Sequence, residues 1–75
     1  MQPLHYDQPM AEEFEIGDRV QVIERRSQDV PLDVVGLRGA VQWVTPGFAG
    51  ERGYVEVELD DGRTFQFQTK ELSRA

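Results

Sequence analysis

Residues 54–69 read YVEVELDDGRTFQFQT, and this stretch decides the fold. In its first half, apolar residues alternate with a tyrosine and glutamates, which is the period of a strand with one dry and one wet face. In its second half, two phenylalanines alternate with glutamines in the same way. The Asp-Asp-Gly between the halves favours a hairpin turn, because Asp and Gly tolerate positive φ. The stretch therefore predicts two paired antiparallel strands, residues 54–59 and 64–69.

Two more strands are predicted upstream of this hairpin. Val20 and Val22 alternate with polar residues after a Gly-Asp turn, which indicates the first strand. Residues 40–45 are rich in β-branched and aromatic side chains, which is typical of a strand. They follow a tight turn that we expect Gly36 and Gly39 to bracket.

The remaining segments are predicted to be loops, a turn and a tail. Residues 25–35 contain a proline, two aspartates and no alternation, which predicts a long loop. Residues 46–53, PGFAGERG, predict a second loop. Residues 70–72 have room for a single turn that places Leu72 in the core. Residues 1–13 carry two prolines and no sustained period, which predicts a flexible, disordered N-terminal tail.

These elements predict an all-β domain over residues 14–75, with four to five antiparallel strands. A parallel sheet is excluded, because the chain has no room for crossover helices. A sheet this small removes its exposed edges by curling into a barrel. The predicted core consists of Val20, Val22, Leu37, Val41, Val44, Val55, Val57, Leu59, Phe65, Phe67 and Leu72.

The succession of GDRVQVI, a variable loop, GLRGAVQWV, a second loop and YVEVELDDGRTFQF followed by KEL resembles the small SH3-like barrels. These include the KOW-type modules of translation and transcription proteins, the variable chain of ferredoxin–thioredoxin reductase, and the CAP-Gly domains. The resemblance covers residues 14–73. It implies a small SH3-like barrel and a non-catalytic accessory or adaptor domain.

Composition narrows the classes of function. The 75 residues include no cysteine, which excludes disulfides, thiolate metal sites and cysteine nucleophiles. A formal charge of −6 argues against a general nucleic-acid binder, because such binding depends on Lys and Arg. We expect a cytoplasmic protein with no membrane segment. A cysteine-free chain suits a reducing compartment, and no apolar run approaches the roughly 20 residues of a membrane span.

The sequence offers no constellation for catalysis. Its only histidine, His5, falls in the predicted tail, with no nucleophile near it. The paired acids Asp60 with Asp61 and Glu56 with Glu58 are explained by the hairpin turn and by the wet face of a strand. We therefore predict that the chain is not an enzyme and binds neither a cofactor nor a metal.

Three aromatic residues and three arginines are the candidate binding residues. If Trp43 points outward, it forms an aromatic patch with Phe48 and Tyr54 that anchors a partner. If it points inward, it is instead the main core residue. The candidate arginines, suited to a carboxylate-rich partner or a phosphate backbone, are Arg25, Arg26 and Arg38. The simpler alternative is that these arginines are solvated and paired with nearby acids.

The resulting hypothesis is a protein-binding module that serves as a small accessory or regulatory subunit of a larger complex. The alternative is a KOW-like module associated with the ribosome or RNA polymerase, in which the arginines contact nucleic acid. Exposed edge strands can pair two copies, so the sequence is compatible with a monomer or a weak homodimer.

Overall fold

A computed structural model of the chain describes residues 14–47 and 53–75, which form five antiparallel strands in a single sheet. The strands are β1 (Arg19–Val22), β2 (Arg38–Thr45), β3 (Tyr54–Leu59), β4 (Thr64–Phe67) and β5 (Leu72–Arg74). Their spatial order is β4-β3-β2-β1-β5. Two short 3-10 turns, Leu32–Val34 and Thr69–Glu71, are the only helical elements of the described residues. The prediction of an all-β fold with up to five antiparallel strands is confirmed, whereas the predicted tail, residues 1–13, lies outside the described residues.

The sheet is open, which corrects the expectation that it closes into a barrel. Within the described residues β4 and β5 do not pair with each other, so each forms an edge. The apolar face is covered in another way. Phe14 and two valines of the loop over residues 25–35, which we call the early loop, pack into the core against the strands; these valines are Val30 and Val34. Because the loop already buries this face, the strands need not curl further to do so.

The hairpin of β3 and β4 forms as predicted. Val57 lies opposite Phe65, and the flanking residues pair in register. The N–H of Leu59 donates to the carbonyl of Arg63 (2.7 Å), and the turn between them places Gly62 at a φ of 97°. Strand β4 ends at Phe67, two residues before the predicted end at residue 69. It ends early because a 3-10 turn begins at Thr69, with Gln68 as its N-cap.

Strand β2 begins at Arg38, two residues earlier than predicted, and this places Gly39 in the strand instead of a turn. The turn belongs to Gly36, whose φ is 99°. Gly39 is required for a different reason. A Cβ atom at this position would collide with the carbonyl oxygen of Glu58 and the Cα of Leu59 on the neighbouring strand. The glycine therefore allows β2 and β3 to approach closely.

The core agrees with the predicted one and extends it. Of the predicted core residues, only Leu37, Val44 and Phe65 are half-buried, and these three pack against the buried cluster. The buried residues that the alternation did not indicate are Phe14, Val30 and Val34. They lie before β1 and in the early loop, where the backbone has no regular period. The loop is therefore a structural part of the domain.

A buried carboxylate fastens this loop to the sheet. Glu71 is only 2% exposed, and it is the one charged residue among the described buried residues. Its Oε2 accepts the N–H of Arg26 (2.6 Å), and its Oε1 accepts the N–H of Gln68 (2.6 Å). Its backbone carbonyl accepts the N–H of Ile23 (2.8 Å). One residue thus joins the start of the loop to the turn that precedes β5.

Removal of this carboxylate is expected to destabilise the domain strongly. Glu71→Ala leaves two backbone N–H groups without acceptors, and we expect it to lower the free energy of unfolding by about 3 kcal/mol. The matched control is Glu24→Ala, because Glu24 also contacts Arg26, through an exposed ion pair. We expect about 0.5 kcal/mol for the control. Urea denaturation monitored by tryptophan fluorescence measures both values, and equal effects of the two substitutions would contradict this role of Glu71.

Candidate partner-binding surface

A β-bulge in β2 determines where Trp43 points. Val41 lies opposite Val57, but the next paired residue, Trp43, lies opposite Glu56, so Gln42 is an extra residue in β2. A regular strand would place Val41 and Val44 on opposite faces, because side chains alternate. The extra residue restores the alternation after the bulge. Both valines therefore point towards the core, and Trp43 points away from it.

Trp43 lies on the outer face of the sheet, with 58% of its surface exposed. Of the two orientations that the sequence left open, the structure has the outward one. Tyr54, opposite Thr45, is half-buried, and it lies diagonally from Trp43 on the same face. Glu56 is the direct cross-strand neighbour of Trp43, and it follows Tyr54 by two residues on the same face of β3. We call Trp43, Tyr54 and Glu56 the outer patch; Phe48, the third predicted aromatic, lies outside the described residues.

The predicted arginines do not form one cluster. Arg25 donates to the carbonyl of Val30 within its own loop (2.8 Å). The guanidinium of Arg26 pairs with Glu24 (2.7 Å), while its backbone N–H is held by Glu71. Arg38 stands at the start of β2 and forms no salt bridge with any residue that the structure describes. Two of the three arginines therefore have structural partners.

Other arginines form ion pairs around the hairpin and the termini of the sheet. Arg19 binds Asp60 through two hydrogen bonds (3.0 and 2.7 Å), which lower the pKa of that carboxyl. Arg63 binds Asp61 (2.7 Å) and also Asp33 of the early loop (3.2 Å). The hydrogen bonds from Arg63 lower the pKa of Asp61 as well. These arginines are occupied by carboxylates of the same chain.

A third aspartate is held near the start of the sheet. The carboxylate of Asp18 accepts the backbone N–H of Glu15 (2.9 Å) and a hydrogen bond from Arg74 (2.9 Å), and both lower its pKa. The guanidinium of Arg74 also lies 5.0 Å from the centre of the Phe14 ring. These contacts fasten β5 to the turn that precedes β1.

Two shallow cavities open on the described part of the surface. One, of about 400 Å³, lies between the edge strand β4 and residues 27–30 of the early loop, and Glu56 also lines it. The other, of about 610 Å³, is lined by Arg38, Leu37 and the hairpin aspartates. Sequence reasoning identified neither, because each cavity is lined by residues that are far apart in the chain.

Exposed apolar side chains outside the outer patch were also missed. Leu32 and Val35 are 70% and 43% exposed at the 3-10 turn of the early loop. The only signal for them in the sequence is the number of apolar residues in the loop, which exceeds the two that pack into the core, Val30 and Val34. Of the large apolar residues that are exposed in the described ranges, Trp43 is the only aromatic one.

Within residues 14–47 and 53–75, no three histidine or acidic side chains come together as a possible metal site. No helix of the same residues is long and apolar enough to cross a membrane. The expectations that the chain has no metal, no cofactor and no enzymatic activity stay predictions.

The lowered pKa values of three aspartates predict a loss of stability in acid. Asp18, Asp60 and Asp61 have folded pKa values below the value of about 3.9 for an unfolded aspartate. Their contribution is therefore complete above that value and is lost as the pH falls through the folded pKa values. We expect the urea midpoint to be level from about pH 7 to about pH 5 and to fall below about pH 4.

The acid dependence has an internal control. In Arg63→Gln, Asp61 lacks its main partner, so we expect a shallower fall of the urea midpoint in acid than in the wild type. About 1 M salt weakens exposed ion pairs and is expected to act in the same direction. An acid dependence that neither change reduces would contradict these ion pairs as its cause.

No protein-family model, curated protein or solved structure matches this chain. The resemblance to SH3-like barrels is therefore neither supported nor contradicted by relatives.

Proposed function

We propose that this chain is a non-catalytic protein-binding module that acts in the cytoplasm as a small accessory or regulatory subunit of a larger complex. The observation that carries the proposal is the 58% exposure of Trp43 on the outer face. Trp43 has the largest apolar side chain in the sequence. Tryptophan is also among the residue types most enriched at the energetic centres of protein interfaces. Its burial by a partner would supply much of the binding free energy.

The surroundings of Trp43 support a specific contact. Tyr54, a half-buried residue, lies diagonally from it, and Glu56 supplies a carboxylate at its cross-strand position. The three residues stand on paired strands, so their backbone positions are rigid. An aromatic residue next to a polar group on a rigid sheet combines apolar burial with a fixed hydrogen-bond acceptor, which suits recognition of another protein.

The charges favour a protein partner over nucleic acid. The chain carries a net charge of −6, and Arg19, Arg26, Arg63 and Arg74 each pair with a carboxylate of the same chain. A phosphate backbone would have to compete with those carboxylates. The KOW-like alternative needs Arg25, Arg26 and Arg38 as one basic surface, and they lie in separate contacts. It is therefore the less supported proposal.

The test begins with a pull-down from lysate of the native host, followed by calorimetry on the purified partner. Trp43→Ala is expected to weaken partner binding about thirtyfold, which corresponds to about 2 kcal/mol for an interface anchor. The control is Leu32→Ala, because it removes an even more exposed apolar side chain from the opposite, loop-covered side. We expect this control to leave the affinity within about twofold. Circular dichroism establishes that both variants are folded.

Two outcomes would contradict the proposal. Equal affinities of wild type and folded Trp43→Ala would remove the outer patch from the interface. Capture of nucleic acid or ribosomes, with release by the double substitution Arg25→Ala/Arg26→Ala and a steep loss of binding with salt, would favour the KOW-like alternative.

A further inference from the structure

The edge strand β4 offers free backbone groups in a fixed pattern. At the hairpin turn the N–H of Leu59 donates to the carbonyl of Arg63, and the carbonyl of Leu59 accepts the N–H of Gly62, so this pair takes the hydrogen-bonded position of the ladder. Hydrogen-bonded and non-hydrogen-bonded pairs alternate along antiparallel strands. The pairs of Thr64 with Glu58 and of Gln66 with Glu56 are therefore non-hydrogen-bonded. Thr64 and Gln66 consequently direct their N–H and C=O groups away from β3, towards the free edge.

No strand of the described residues covers this edge. The edge is short, because at Gln68 the N–H is already bound by the buried carboxylate of Glu71. The accessible part thus consists of four backbone groups on Thr64 and Gln66. An added strand can satisfy all four without any rearrangement of the β3–β4 ladder.

The cavity of about 400 Å³ lies directly along this edge. Thr64 and Gln66 line one side of it, and Ser27 and Val30 of the early loop line another. Among the residues that the structure describes, the only charged side chains in its lining are Asp29 and Glu56. Neither carboxylate forms a salt bridge with a residue of the described ranges, in contrast to the hairpin aspartates. A ligand in this cavity, which we call the cleft, therefore lies beside two carboxylates that no described residue neutralises.

We propose that β4 binds an extended, basic segment of a partner protein as a sixth strand of the sheet. The segment's backbone pairs with Thr64 and Gln66, and its Lys or Arg side chains reach Asp29 and Glu56. Charge complementarity selects this occupant. A second copy of the chain would instead bring two more carboxylates into the same cleft. The inference rests on the proposed function, since it names the chemistry of the partner, but it uses an edge distinct from Trp43.

The outer patch and the edge are connected. Glu56 lies opposite Trp43 on one side and opposite Gln66 on the other, so one row of side chains runs from the indole to the free edge. Neighbouring strands are about 4.8 Å apart, which places a strand added at β4 about 14 Å from β2. A partner that adds a strand at β4 is therefore close enough to cover Trp43 with an adjoining segment.

The experiment uses a fluorescein-labelled octapeptide of alternating Lys and Val, and the same peptide with Glu in place of Lys. We expect the Lys peptide to bind, and the amide protons of Thr64 and Gln66 to become protected from hydrogen exchange in NMR spectra. The Glu peptide is expected not to bind. Gln66→Pro removes an outward N–H that the β3–β4 ladder does not use, and we expect it to weaken binding about tenfold.

Two further substitutions keep the test independent of the proline's effect on folding. Gln66→Lys retains the backbone but places a like charge in the cleft, and it is also expected to weaken binding of the Lys peptide. Asp29→Asn is expected to weaken it about threefold, as for a partly exposed ion pair. The matched control is Glu15→Gln, which removes the same charge from an exposed position away from the cleft. We expect this control to leave the affinity unchanged.

Several results would overturn the inference. Equal binding of the Lys peptide to wild type, Gln66→Lys and Asp29→Asn would show unspecific attraction to an acidic protein. Protection of Thr64 and Gln66 without peptide, rising with protein concentration, would identify a second copy as the occupant. If these tests fail while Trp43→Ala still loses the host partner, the edge is excluded and the proposed function is retained.

Discussion

One constraint shapes the whole domain: a single five-stranded sheet has an apolar face that the rest of the chain must cover. No cysteine is present to add a cross-link, so burial and hydrogen bonding provide the stability. The early loop covers the face with Val30 and Val34, and Glu71 holds the start of that loop. A buried carboxylate is costly unless its oxygens are satisfied, and here each oxygen accepts a backbone N–H. A second contact of the loop, the ion pair of Asp33 with Arg63, joins it to the hairpin.

The bulge at Gln42 connects the core with the outer patch. Strand β2 has to deliver both Val41 and Val44 to the core, although they are an odd number of residues apart. One extra residue solves this problem, and as a result Trp43 faces solvent. The exposure of the indole is thus fixed by the packing of two valines on the other face. A change that removed the bulge would move the tryptophan and a core valine together.

Whether an interaction could be predicted from the sequence depends on how close together its residues lie in the chain. The β3–β4 hairpin could be predicted, because its alternation and its Asp-Asp-Gly turn are contained in one continuous stretch. The position of Gly39 within β2 could not be predicted, because its close contact with Glu58 becomes apparent only when the partner strand is known. The core role of Val30 and the hydrogen bonds of Glu71 span tens of residues and have no periodic signal. A partial signal existed for Glu71, because a glutamate three residues after a turn start often accepts the starting N–H.

The open sheet and the distribution of charge together determine what can associate with the edge of β4. Because the loop covers the apolar face, the outer edge of β4 pairs with no strand of the described residues, and an unpaired edge invites association with other chains. Three features limit that association: β4 has only four residues, Glu71 occupies the N–H of Gln68 beyond its end, and two carboxylates without a salt bridge to any described residue stand beside it. The first two shorten the edge for every occupant. The carboxylates discriminate, since they repel a second acidic copy and attract a basic segment. The same charges therefore oppose self-association and favour a partner of opposite charge.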